Sequence, residues 1–212
     1  MKFTEVPNAL SIYFNELVYK EKAAGKAIIT LSLGEAFFDL PQFNIPPEQM
    51  EIGYHYSSSK GIPTLRKNIA EHYNKKYKSC LNYQKNLLIS AGSKIIIFMC
   101  LKLLLKEKNE VLIFEPAWLS YEHQIKLANG IPKFIKYDIT VNKIEEFVSK
   151  KTGVIIINNP NNPSGRVYSR ADLEFLKNLC EKKEIFLLVD EAYSDFVVDK
   201  SFFSMARLSP KL

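Results

Sequence analysis

The chain has 212 residues, 47% hydrophobic and 25% charged, with 8 Gly and 10 Pro, a composition that excludes disordered and collagen-like classes. Its net charge of +6 is carried by lysines set singly or in pairs, such as Lys75-Lys76, Lys150-Lys151 and Lys182-Lys183. That pattern reads as a solvated basic surface, not as a nucleic-acid groove. No apolar run reaches the roughly 18 residues of a membrane helix, and MKFTEVPNALSIYF lacks the unbroken apolar core of a signal peptide.

In chain order, residues 9–22 predict one amphipathic helix, followed by an extended arm, LSLGEAFFDLP (31–41). Residues 61–77 place Leu65, Ile69 and Tyr73 at i+4 spacing, a helical stripe. NLLIS (86–90) is a short apolar run ending at Gly92-Ser93, which opens a helix to about Lys106. VLIFEP (111–116) predicts a strand stopped by proline, PKFIKYD (132–138) an alternating strand, NKIEEFVSKK a helix and GVIIIN a wholly apolar strand. Ser169-Arg170-Ala171-Asp172 has the form of a capping box for a helix carrying Leu173, Leu176, Leu179 and Cys180. EIFLLVDEAY closes the series with a strand from Ile185 to Val189. Cys80, Cys100 and Cys180 have no C-x-x-C spacing and no nearby His. They read as reduced thiols of a cytoplasmic protein, with no disulfide and no metal.

Short apolar strands alternating with amphipathic helices predict a three-layer α/β/α fold with a mostly parallel sheet. Residues 1–45, the helix and arm, read as an appendage, and 46–212 as the α/β domain. Ligands of such sheets bind beyond the carboxyl ends of the strands, so the residues there are the candidate site. After NLLIS stand Gly92, Ser93 and Lys94 at a helix start, either a simple cap or an anion seat. After VLIFEP comes Trp118, the single tryptophan, either a core ring or a stacking platform. After VIIIN, Asn162 sits in the corner NNPNNPSG, a turn former or a fixed donor and acceptor. After IFLLV, Asp190 and Tyr193 stand three apart, either capping a helix or facing one ligand. An anion seat, a stacking ring, an amide, a carboxylate and a phenol together suit a phosphorylated, protonatable aromatic heterocycle.

The stretches LSLGEAFFDLP, YSSSKGIPTLRKNIAEHY, ISAGSKIIIF, EPAWLSYEHQ, NNPNNPSGRVYS and LVDEAYSDF occur in the order and spacing of the fold-type I pyridoxal-phosphate enzymes. The chain most resembles the class I/II aminotransferases of the aspartate aminotransferase type, in their N-terminal portion. The resemblance implies an incomplete large domain of that fold, with pyridoxal 5'-phosphate as cofactor. Gly92, Ser93 and Lys94 match the phosphate-binding motif, and Tyr56 the tyrosine that reaches the phosphate of a neighbouring subunit, implying a homodimer. Trp118 matches the residue stacked on the pyridine ring, Asn162 and Tyr193 the pair at its phenolic oxygen, and Asp190 the acid at its ring nitrogen. Gly34 matches the arm glycine near the substrate carboxylate; Trp118 and Asn162 also face the substrate in that pattern.

The family's Schiff-base lysine lies in a serine-rich loop a few dozen residues beyond the D-E-x-Y strand. Only 19 residues follow Tyr193 here (212 minus 193), and Lys211 lacks that setting. The chain is therefore expected to be about the first half of an aminotransferase, without the catalytic lysine or the carboxylate-binding arginine, and inactive alone. The full-length form would move an amino group between an amino acid and a 2-oxo acid, with no nucleic-acid or membrane partner. Two alternatives stay open: a C–S β-lyase of the same fold, against which Trp118 weighs, and a non-catalytic remnant or regulatory protein that keeps the cofactor pocket.

Overall fold

A computed structural model describes residues 10–30, 39, 42–106, 109–198 and 202–208. They fall into two compact units, divided between Tyr56 and Ser57. The first contains helix α1 (Leu10–Ala23) and the short helix α2 (Pro47–Ile52). Within α1, Tyr13 and Phe14 meet edge to face at 5.5 Å. All but one residue of the predicted arm, Gly34 included, lie outside the described residues.

The second unit carries the sheet. In chain order it runs α3 (Pro63–Tyr77), α4 (Ser93–Leu104), β1 (Glu110–Phe114), α5 (Ser120–Leu127) and β2 (Ile131–Ile135). A short 3₁₀ helix (Val141–Phe147), β3 (Thr152–Asn158), α6 (Arg170–Lys183) and β4 (Phe186–Asp190) follow. The strand order is β2-β1-β3-β4, and every neighbouring pair is parallel. The β1 and β3 side chains fill both faces. On one side Leu112, Ile155 and Ile157 pack with Leu173, Leu176 and Leu179 of α6. On the other, Val111, Ile113, Val154 and Ile156 pack with Ile97 and Leu101 of α4 and Ile125 of α5. Two-sided burial is why residues 111–114 and 154–157 are continuous apolar runs instead of alternating.

The capping box before α6 forms as read: Ser169 Oγ accepts from Asp172 N at 3.1 Å, and Asp172 Oδ2 from Ser169 N at 3.0 Å. Three expectations change. NLLIS forms no strand; Ile89 N donates to the Lys60 carbonyl at 3.0 Å and Asn86 N to the Asn82 carbonyl at 2.8 Å, and Leu88 is 52% exposed. NKIEEFVSKK forms no α-helix; its first part lies in a short 3₁₀ helix ending at Phe147, with Val141 and Ile144 anchoring it to the core. In α3 the buried positions are Arg66 and Ala70, while Leu65 is exposed; Arg66 is held by the carbonyls of Gly61 and Tyr83. Cys80 is exposed, Cys100 half-buried and Cys180 buried, all free.

Candidate functional site

The site grows from where the parallel ladder stops. Asn158 and Asp190 are its last register partners between β3 and β4, and beyond them the chain must find other hydrogen bonds. Asn158 supplies several. Its Nδ2 donates to the Asp190 carbonyl at 2.9 Å, and its Oδ1 accepts from Asn162 N at 2.6 Å. Asn159 N donates to the same Asp190 carbonyl at 2.8 Å, and Asn159 Oδ1 accepts from Tyr168 N at 3.0 Å. Asn161 Oδ1 closes the turn by accepting from Ser164 N and Oγ. Asn158, Asn159 and Asn161 are all buried. The corner that holds Asn162 is thus a stack of buried amides, each with partners, as burial of an amide requires.

Asn162 stands half-buried at the outer end of that corner, with Nδ2 3.4 Å from the Tyr193 hydroxyl. Asp190 follows β4. Its Oδ1 accepts from Ala192 N at 3.1 Å, and its Oδ2 from the Tyr121 hydroxyl at 2.7 Å. Trp118 lies half-buried after β1, with the Tyr121 ring edge-on to it at 5.2 Å and 87°. The Lys94 ammonium sits over the indole at 5.4 Å, close enough for a cation–π attraction. Gly92 precedes α4 at φ 87°, a conformation that strains any residue with a Cβ. No side chain caps α4, so the first-turn N–H groups of Ser93 and Lys94 face outward at the positive end of the helix. Ser93 and Asp190 both line a cavity of about 1000 Å³ that runs on along β4 past Leu188 to Ile185.

Of the predicted residues, Gly92, Ser93, Lys94, Trp118, Asn162, Asp190 and Tyr193 belong to this one unit. The structure joins them pairwise through Lys94–Trp118, Asn162–Tyr193 and the link of Trp118 and Asp190 by Tyr121. Tyr56 closes the first unit and is fully exposed. Gly34 lies outside the described residues. Two contributors were missed in the sequence. Tyr121 had been given no role, and Asn158 stood in a run of turn formers; the position of Asn158 directly after the apolar run 154–157 was its available signal. Among the described residues, no group of three His, Cys, Asp or Glu could hold a metal ion.

The arrangement is an indole, an amide–phenol pair and an oriented carboxylate at the ends of β1, β3 and β4, with the uncapped start of α4 joined to the indole through Lys94. The model of the family "Aminotransferase class I and II" matches residues 48–212. The chain is a member of that family. It is 33% identical over 202 residues to an aspartate aminotransferase of Bacillus sp. (strain YM-2), spanning 90% of this chain and 51% of that one. It is 34% identical over 183 residues to aromatic-amino-acid aminotransferase 2 of Thermococcus litoralis, spanning 82% and 47%. The crystal structure of an aspartate aminotransferase from Thermotoga maritima superposes with a TM-score of 0.82 at 28% identity, over 96% of this chain and 56% of that one. The aminotransferase chain described here spans about half the length of the curated relatives it matches. Aspartate aminotransferases depend on pyridoxal phosphate, and the donor set above fits that group: a phosphate at an uncapped helix start, a flat ring, a phenolic oxygen and a basic ring nitrogen.

Proposed function

We propose that these residues are the cofactor half of an amino-transferring site. The observation that carries this reading is the Asp190 carboxylate, held at both oxygens and linked to Trp118 through Tyr121. Bound there, pyridoxal phosphate would supply the electron sink that amino-group transfer requires. The first-turn N–H groups of α4, with the Ser93 hydroxyl and the Lys94 charge, would bind its phosphate. Trp118 would hold the ring flat, and Asn162 with Tyr193 would donate to its phenolic oxygen. A carboxylate next to the ring nitrogen favours the protonated ring, which is the role we assign to Asp190.

In the whole protein, the partner substrates are an amino acid and a 2-oxo acid. Matched relatives bear the names of aspartate, asparagine, aspartate/prephenate and aromatic-amino-acid aminotransferases, which favours transfer over C–S lysis. Exposed Tyr56 supports a homodimer in which it reaches the neighbouring subunit's phosphate. We further propose that the 212 residues bind the cofactor without turning over, because the lysine that carries it in this family has no counterpart among the residues at this site. Equilibrium dialysis against pyridoxal phosphate, followed by an assay of amino transfer from aspartate to 2-oxoglutarate, tests both parts. One cofactor per chain with no 2-oxo acid formed is the expected result. Failure to bind would overturn the site; sustained turnover would overturn the claim of inactivity.

A further inference from the structure

Tyr121 is 1% exposed and sits in the first turn of α5, after β1. Asp190 ends β4, two strands away across β3. At about 4.8 Å per strand, that is roughly 10 Å of sheet to cross. The phenol spans it and donates to Asp190 Oδ2 at 2.7 Å, a short bond to an acid of the kind that is roughly twice as strong as a neutral one. The same ring meets Trp118 edge to face, and Tyr121 N donates to the Trp118 carbonyl at 3.1 Å. Asp190 needs such a tie, because β4 is paired along one edge only among the described residues. The Asn158 and Asn159 bonds fix its carbonyl, not its carboxylate. With Oδ1 taken by Ala192 N and Oδ2 by Tyr121, the carboxylate plane is set and each oxygen keeps a lone pair free.

We propose that Tyr121 is a positioning residue for the cofactor ring: its hydroxyl orients the Asp190 carboxylate and its ring orients the Trp118 indole, so one buried side chain aligns the acid with the stacking plane. This rests on the functional reading given above. Burial and the charge of Asp190 push the Tyr121 phenol well above its ordinary pKa, so it remains a proton donor throughout the working range.

Trp118, as the single tryptophan, reports ligand binding through quenching of its fluorescence. The unmutated chain, Tyr121→Phe, Asp190→Ala and the double variant are titrated with two probes. One is pyridoxamine 5'-phosphate; the other is its carbocyclic analogue, with C–H in place of the ring nitrogen. Tyr121→Phe keeps the ring against Trp118 and removes only the hydroxyl. It should weaken the pyridine probe about tenfold, change the carbocyclic probe less than twofold, and have no further effect once Asp190 is Ala. Equal weakening of both probes, or no weakening of either, overturns the positioning role while leaving the functional reading intact. Failure of the unmutated chain to bind the pyridine probe overturns both. A measurement without substitution, the ¹³Cζ signal of Tyr121 in labelled chain, should move with the pyridine probe and not with the carbocyclic one; equal movement with both would also overturn the proposal.

Discussion

β3 and β4 are both built around an apolar run and end on register partners, yet they occupy different environments. Val154 to Ile157 of β3 are all buried, with β1 on one side and β4 on the other. Leu187 to Val189 of β4 are half-buried and Phe186 is 54% exposed. The burial of a parallel strand is therefore set by its neighbours, not by its own residues. The candidate site sits where the well-buried strand hands its last hydrogen bonds to the less buried one. Most of the rigidity at Asp190 is accordingly borrowed: its carbonyl is held from β3 and its carboxylate from α5.

This contrast can be broken most forcefully in the cores. Ile156→Ala should cost about 2–5 kcal/mol of stability, and Leu187→Ala clearly less, because it is only partly buried whereas Ile156 is fully buried. Urea unfolding of the two variants compares them directly; equal losses would mean that β4 is as deeply packed as β3. Next in size is Asn158→Ala, which strands Asn162 N and one bond to the Asp190 carbonyl. It should cost about 1–3 kcal/mol, whereas Asn162→Ala, half-buried with a long 3.4 Å contact, should leave the unfolding midpoint nearly unchanged.

The third test uses pH. Glu191, beside Asp190, accepts from Ser204 Oγ and Met205 N, both at 2.6 Å. Burial, the largest cause, raises its pKa above the ordinary 4.5 despite those bonds. An acid whose folded pKa is raised binds more protons folded than unfolded, so stability falls as pH rises from 4.5 through the folded value. Glu191→Gln should flatten the unfolding midpoint over that window. An unchanged slope would assign the pH dependence elsewhere. The smallest expected effect lies outside the site: Ser169→Ala removes the cap of α6, about 1 kcal/mol by thermal unfolding.

Much of this was legible in the sequence, for physical reasons that differ by element. β1 and β3 announce themselves because burial on both faces favours an unbroken apolar run, β4 by a similar apolar run, and α6 because Ser169 and Asp172 stand at capping distance. NLLIS misled because an apolar run predicts a strand only if a partner strand exists, and among the described residues it has none. NKIEEFVSKK misled because helical spacing over so short a stretch is also satisfied by a short 3₁₀ helix. At the site, Trp118, Asn162, Asp190 and Tyr193 were legible as strand-end residues. Tyr121 was not, because its partner lies 69 residues away and nothing in local spacing marks such a pair. Asn158 was hidden among neighbours of the same type, and only the hydrogen-bond geometry separates its role from theirs.

In the proposed site the carboxyl ends of β1, β3 and β4, with the start of α4, form a ready-made seat for the cofactor. The most direct measurement is amide chemical-shift mapping of the ¹⁵N-labelled chain titrated with pyridoxamine 5'-phosphate. Shifts should concentrate at residues 92–95, 117–121, 158–162 and 190–193, and leave the interior of β1 and β3 unmoved. Shifts confined to the trough along β4 between Ile185 and Leu188, or scattered over surface lysines, would contradict it.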